Sequence, residues 1–349
     1  MNRKGVCYDV GRYLYGDWRK DYNPQTIHRE LEIIKNNLNC NAVRICSKDI
    51  DRLATSSKDA LEQGLEVWFS PELWNKNPKH TLEYIAKAAE IAERLLEQYP
   101  NQIVMSVGSE LTFYMKGIVE GNSLWTRMRN GFQGDIVTSG KHNKPLNDYL
   151  STVVKAVRQV YKGPITYASL PLENVNWDLF DIIGIDHYRG TRINDHYADR
   201  LQSLLVQGKP VAVMEFGCCA YKGAEQNTAQ AFNIIDIKSE IVCGIPLLGR
   251  FMRPCLNGHY IRDEDLQAHE IIESLKVFDK VGVDSAFVFT FVDTQHPHNE
   301  NPKNDTDMAS YGLVKSYESD KRGITFPDMT WEPKKSFEAV ARYYGNDRL

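Results

Sequence analysis

Eight short apolar runs recur along the chain, each separated from the next by other segments, many of them helical in pattern, and this alternation constrains the fold more than any other feature. The runs occupy 5–9, 41–45, 65–70, 103–108, 164–168, 182–186, 210–215 and 285–291, and each reads as a buried strand. Helical periodicity is found at 24–37, 58–63, 81–98, 146–161, 198–207 and 265–280. Strands that alternate with helices from end to end argue for parallel β/α units. The expected fold is α/β, a (β/α)8 TIM barrel closed by its eighth strand.

The spacing is uneven, and the excess falls after strands 4, 7 and 8. Residues 111–143 carry Phe113, Tyr114, Trp125 and Phe132 among glycines and polar residues, a composition that suits a substrate-facing loop more than a helix. Residues 218–263 are too many for one helix and predict a small insertion at the barrel mouth. Residues 293–305 are polar and turn-rich, and read as a long loop over the same face. A last helix is expected from Pro333 onward. The expectation is one barrel domain over 1–349.

Composition narrows the partners. A formal charge of −4, with 25% charged residues, shows no basic excess that would suit nucleic acid, so a neutral substrate is expected. No apolar run reaches the roughly 18 residues of a membrane span, and the first strand begins almost at once, so a cytoplasmic protein with no membrane partner is expected. The seven cysteines, at 7, 40, 46, 218, 219, 243 and 255, include no C-x-x-C spacing and indicate neither a disulfide framework nor a zinc ribbon. Glycine-rich phosphate loops, G-x-S-x-G and H-E-x-x-H are absent, and no metal or other cofactor is expected. Nothing in the sequence indicates an oligomeric state.

Two of the strands end on glutamates, Glu110 after Val104-Met105-Ser106-Val107-Gly108-Ser109 and Glu215 after Val211-Ala212-Val213-Met214. The C-terminal tip of a barrel strand is where such folds keep their active sites. A carboxyl pair is the minimum equipment for hydrolysing a glycosidic bond. One group protonates the leaving oxygen, and the other, ionised, attacks the anomeric carbon from about 5 Å away. A single strand-end glutamate is more simply read as a loop cap or an arginine partner. Two, on strands four and seven across the barrel axis, favour the pair.

At these residues the chain resembles the clan A glycoside hydrolases, whose acid/base ends strand four and whose nucleophile ends strand seven. The resemblance implies a carbohydrate substrate, a retaining mechanism, Glu110 as acid/base with its proton held more tightly than usual, and Glu215 as nucleophile. It also implies that Arg44, at the tip of strand two, hydrogen-bonds the nucleophile and holds it ionised, and that a side chain ending strand six orients it. Here that strand ends in His187 and Tyr188. Tyr188 is the better candidate because a phenol donates without competing as a base. Tyr8, Asp9, Glu72, Trp74, Ser109, Tyr114, Asp186 and Phe291 complete the expected substrate-binding set, with aromatic faces to stack on sugar rings and polar groups to read hydroxyls.

The chain departs from that clan at two positions. Ser109 stands where an asparagine usually contacts the sugar 2-hydroxyl, and Phe287-Val288-Phe289-Thr290-Phe291 offers no tryptophan on strand eight. The segments Lys4-Gly5-Val6-Cys7-Tyr8-Asp9, Ala42-Val43-Arg44, Gly64-Leu65-Glu66-Val67-Trp68-Phe69-Ser70-Pro71 and Gly108-Ser109-Glu110-Leu111 are similar to a bacterial family labelled abortive infection protein, which implies a setting of phage exclusion and names no reaction. Two other readings stay open. One is a metal-dependent, sugar-isomerase-like barrel using Glu72, Glu110, Asp186, His187 and Glu215 as ligands. The other is a barrel without catalysis that binds a glycan or a protein partner through its enlarged loops.

Overall fold

The structure is a computed structural model and describes residues 1–12, 17–190, 196–239, 253–318 and 321–345. Eight parallel strands form one sheet: β1 (Arg3–Asp9), β2 (Ala42–Ser47), β3 (Glu66–Pro71), β4 (Ile103–Ser109), β5 (Ile165–Ala168), β6 (Ile183–Asp186), β7 (Val211–Phe216) and β8 (Ser285–Val288). Their order is β5-β4-β3-β2-β1-β8-β7-β6. The two ends meet through a bridge between Ser169 and Ile185, with Ser169 N–H donating to the Gly184 carbonyl at 3.1 Å and Asp186 N–H to the Ser169 carbonyl at 2.9 Å. That seam closes the (β/α)8 barrel. A small antiparallel pair, β9 (Val314–Ser316) and β10 (Trp331–Pro333), stands apart from it.

The helices are α1 (Pro24–Asn36), α2 (Ile50–Glu62), α3 (Pro78–Gln98), a single turn α4 (Leu111–Tyr114), α5 (Leu124–Gln133), α6 (Asn143–Val157), α7 (Tyr197–Leu205), α8 (Glu264–Val281) and α9 (Lys335–Gly345). Their ends follow local chemistry. Asn23 caps α1 by accepting from Gln25 N–H and is followed by proline at the first helical position, and α1 buries Ile27, Leu31 and Ile34 on one face. Asp263 caps α8, which ends at Gly282 in the left-handed region (φ 92°). Each side-chain cap contributes roughly 1 kcal/mol.

Three sequence expectations are corrected. Helix α2 begins at Ile50, ahead of the apolar pattern at 58–63, because Asp49 accepts from both Asp51 and Arg52 N–H and starts it there. The stretch 111–143 is not simply a loop. It contains α5, started by Ser123 and tied down by Arg127, a buried guanidinium that donates to the carbonyls of Phe113 (2.5 Å) and Gly121 (3.1 Å) and to Asn75 Oδ1 (3.0 Å). Strand pairing in β8 stops at Val288 rather than running to 291.

Barrel strands expose alternate residues to the lumen and to the helix layer. The lumen is plugged by Cys7, Ala42, Trp68, Val104, Ala168, Ile182, Ala212, Met214 and Phe287, with the Trp68 and Phe287 rings 4.8 Å apart. Full burial of each large ring contributes roughly 1.5–3 kcal/mol. The site is the polar layer above this plug. Farther out, Cys218, Cys219, Tyr221, Ala231, Leu256 and Tyr311 pack in a separate apolar cluster that joins the chain after β7 to the chain after β8. Ion pairs hold the same two segments together, Arg262 to Asp305 (2.8 Å) and Asp307 (2.9 Å), and buried Lys334 meets Asp307 within the second of them (2.9 Å). The described cysteines are unpaired, and Cys243 lies outside the described residues. Among the described residues no helix is long and apolar enough to cross a membrane.

Candidate active site

Arg44 organises the floor of the mouth. The register of β2 sets it level with Cys7 on β1 and Trp68 on β3, so its side chain rises from the lumen plug with no access to solvent. Its guanidinium donates to Glu215 Oε1 (2.7 Å), the Met214 carbonyl (3.1 Å), Glu72 Oε1 (3.1 Å) and Ser70 Oγ (3.2 Å). An arginine with so many geometrically fixed acceptors holds two carboxylates in place at once, which a lysine could not do. Glu215 is 9% exposed, and Tyr188 Oη donates to its second oxygen at 3.4 Å.

A second arginine, which sequence reasoning missed, completes the Glu215 side. Arg12 follows β1, is tied to Asp9 by an ion pair, reaches Glu72 at 3.4 Å and lies 3.8 Å from Glu215 Oε1. Asp9 in turn accepts from Gly11 and Arg12 N–H, so it shapes this turn rather than facing an open pocket. The Arg12 guanidinium is boxed by Trp18 (4.7 Å), Phe289 (5.1 Å) and Trp74 (5.7 Å). Trp74 stacks on Tyr114 with ring centres 4.4 Å apart and meets Trp18 edge-on. Among the described residues the buried indole N–H of Trp74 has no partner, as is suited to receiving a ligand acceptor.

Glu110, directly after β4, has an unusual backbone state, left-handed with φ 48° and ψ 39°, which costs a non-glycine residue roughly 1–3 kcal/mol and persists only when its surroundings over-determine it. Here they do. Glu110 N–H donates to the Ala168 carbonyl (2.9 Å), Leu111 N–H to Tyr167 Oη (2.8 Å), and Thr112 N–H to Glu173 (3.1 Å). Glu173, itself buried, also accepts from Tyr167 Oη (3.0 Å) and Leu170 N–H (2.9 Å). Gly108, at φ +149°, precedes this turn, and a Cβ there would press on Leu111 at 3.0 Å. Neither Tyr167 nor Glu173 stands at a strand tip, so no local pattern marked them. Tyr167→Phe is expected to lower kcat by up to about 10²-fold for substrates with poor leaving groups, since a misplaced catalytic group costs that much. Activated aryl glycosides, which need little acid help, should lose much less. Equal losses on both substrate types would refute a role in placing Glu110.

Electrostatics separate the carboxyls. Glu110, partly exposed, is pushed up to about 8, first by loss of surrounding water and next by the charge on Glu215. Burial raises Glu72 as well, against the opposing pull of Arg12 and Arg44. Asp186, at the tip of β6 and 1% exposed, faces Glu110 and Glu215 and is driven far above the usual carboxylate range by burial. Ser109, buried, is the last residue of β4.

Three expected site residues point elsewhere. Tyr8 lies on the outer face of β1, where its hydroxyl bonds buried Glu30 and its ring meets Phe291 at 6.0 Å. Phe291 packs against Trp331 and Phe337 in the barrel–helix layer, so it is no stacking platform. Two-residue alternation from Ser285 and Phe287 carries Phe289 to the mouth, and because strand pairing stops at Val288 the alternation does not extend to Phe291. Gly217 runs against it so closely that a Cβ would strike the Phe289 carbonyl oxygen. His187 also faces outward, stacked on Tyr197 at 4.0 Å with Nε2 2.8 Å from the Tyr197 carbonyl, and burial lowers its pKa to about 4. Among the described residues no group of three or more His, Cys, Asp or Glu side chains is disposed to hold a metal ion. His296 and His298 pair instead with Asp293 and Asp305.

Residues 142–234, which include β5, β6 and the Glu215 strand, match Glycoside Hydrolase Family 113. The fold superimposes on a GH113 β-1,4-mannanase with a TM-score of 0.60 and 16% identity, covering 98% of both chains. It also superimposes on the GH113 β-mannanase from Alicyclobacillus acidocaldarius in complex with ManMIm, with a TM-score of 0.62 and 15% identity, covering 99% of this chain and 97% of that one. A Faecalibacterium prausnitzii β-glucuronidase aligns with a TM-score of 0.56 and 15% identity, over 99% of this chain but 49% of its own. At these identities the superpositions speak to fold. No curated protein matches the chain. The closed barrel, the carboxyl pair on its fourth and seventh strands and the family match together define the class, a retaining glycoside hydrolase. Within that class, the segment 142–234, which carries the Glu215 strand, matches Family 113.

Proposed function

We propose that the protein hydrolyses a β-linked neutral glycan, with Glu215 as nucleophile and Glu110 as acid/base, and that β-1,4-mannan or its oligosaccharides are the substrates. The observation that carries this is the asymmetry of the two glutamates. Glu215 accepts from Arg44 and Tyr188 and lies beside Arg12, whereas Glu110 is kept protonated by poor hydration and by its negative neighbour. In the first step Glu215 attacks the anomeric carbon while Glu110 gives its proton to the departing oxygen. In the second, Glu110 takes a proton from water, which displaces Glu215 from the sugar. Arg44 and Tyr188 orient the nucleophile, while Trp74, Tyr114 and Phe289 supply the apolar walls.

A neutral sugar is favoured over a uronide because Arg12 and Arg44 are already committed to Asp9, Glu72 and Glu215. The β-mannanases that cover nearly the whole chain support mannan as the first substrate class to examine. The cellular setting we propose, a bacterial cytoplasm with a part in abortive infection, rests on the four similar segments named above alone.

The test is hydrolysis of β-mannan, manno-oligosaccharides and aryl β-mannosides, beside gluco-, galacto- and glucurono-configured controls. Glu110 should be competent as an acid below about 8 and lose its proton above it. The kcat/KM profile of the wild type is therefore expected to fall on its basic side near that pH. Glu110→Gln should abolish this basic limb and remove most activity, about 10²–10⁴-fold, on substrates with poor leaving groups. Cleavage of glucuronides in preference to mannosides would overturn the substrate assignment, and an unchanged basic limb in Glu110→Gln would overturn the acid/base role.

A further inference from the structure

Asp186 is the most buried carboxyl of the site, and its bonding is incomplete in an informative way. Neither of its oxygens receives an N–H or O–H among the described residues. The hydrogen-bonding partner its carboxyl does have is the carboxyl of Glu110. Two carboxyl groups hydrogen-bond only when at least one of them carries a proton. The charges around Asp186 point the same way. Glu110 faces it from β4, Glu215 from β7, Glu72 from β3 and Tyr188 from the chain just beyond, with Arg44 from β2 as the facing cation. Arg44 is already shared between Glu72 and Glu215. An ionised Asp186 would be a buried charge with neither donor nor free counter-ion, an arrangement that proteins avoid by protonation.

We propose that Asp186 is a neutral carboxylic acid that serves Glu110 in both of its states, accepting a hydrogen bond from protonated Glu110 and donating its own proton's hydrogen bond to ionised Glu110. Asp186 is thus a positioning residue for the acid/base, and the inference rests on the assignment of that role to Glu110. When Glu110 gives up its proton to the leaving group, it becomes a carboxylate in a site that already holds negative charge. The Asp186 O–H then turns toward it, so the new charge gains a donor without any net transfer to Asp186. When water later returns a proton to Glu110, the hydrogen bond reverses. Burial, followed by the charges of Glu215 and Glu110, accounts for the retention of the Asp186 proton.

Infrared difference spectroscopy on the full-length protein, wild type against Asp186→Asn, reads this directly at neutral pH. A protonated-carboxyl stretch present in the wild type and lost in Asp186→Asn is the expected result, and the absence of any such band overturns the proposal. The measurement needs no turnover, so it stands even if the panel of glycosides reveals no substrate. Where activity is found, Asp186→Asn presents the same neutral donor and acceptor as the native acid and should keep the basic limb of kcat/KM in place. A downward shift of that limb by about one pH unit or more would show that a negative charge had been removed, and would sink the idea. Asp186→Ala, able neither to donate nor to accept, is expected to lower kcat about tenfold with KM little changed, the loss of one hydrogen bond to a charged group. Loss of the same size in Asp186→Asn would instead indicate a structural role and would overturn the proposal.

Discussion

Glu215→Ala will lower kcat/KM by on the order of 10⁴-fold or more for any glycoside the wild type cleaves, and azide will restore turnover with a glycosyl azide of inverted configuration. The reasoning is geometric. Glu215 is held by Arg44 at 2.7 Å and by Tyr188 at 3.4 Å, beneath a mouth walled by Trp74 and Phe289. Removing its carboxylate leaves a space that a small anion can enter, drawn by the Arg44 and Arg12 guanidinium groups. Azide then performs one displacement where the enzyme performs two, so the configuration inverts. Glu110→Ala gives the contrasting outcome. The glycosyl–enzyme still forms from an activated substrate, azide intercepts it from the side the acid/base has vacated, and the product keeps its configuration. Retained configuration from the Glu215 variant, or substantial activity without azide, would refute the assignment.

Arg44→Met is expected to destabilise the fold by about 3–5 kcal/mol and to abolish hydrolysis. Methionine fills much of the space, so packing is not the main loss. What is lost is the guanidinium that bonds both Glu72 and Glu215 from below, and removing one member of a buried ion cluster leaves the others uncompensated. Denaturant unfolding measures the first effect. Because the cluster is shielded from solvent, the difference should persist at high salt, unlike that of a surface pair. Arg44→Lys, a point charge on a flexible stem, cannot reach all four acceptors and should fall between wild type and Arg44→Met. A Met variant as stable as wild type would mean that Glu72 and Glu215 take up protons or water at no cost, and Arg44 would then not be the group that organises the floor.

Eight apolar runs with helical periods among them were sufficient to specify a barrel, because parallel strands covered on both faces must be apolar along their length and their order follows from short right-handed crossovers. The same logic located Glu110 and Glu215, since a strand that ends on a carboxylate directs it to the mouth. It served less well at single positions. Tyr8 and Phe291 sit one pleat or one loop step away from residues that do face the mouth, and the side of a strand a residue occupies depends on register and on where pairing stops. His187 and Tyr188 are neighbours in sequence, yet one faces the helix layer and the other Glu215, for the same reason.

From the sequence alone came the alternation of elements, the two strand-end glutamates and the arginine on strand two, all of them consequences of local periodicity and residue type. Only the tertiary structure decided that Arg12 reaches Glu215, that Tyr167 and Glu173 hold Glu110 in a left-handed turn, and that Asp186, among the described residues, meets no donor but a neighbouring acid. Those relations join residues from different strands and loops, and their energies depend on how much water the closed barrel excludes around each charge, a quantity that no stretch of sequence contains.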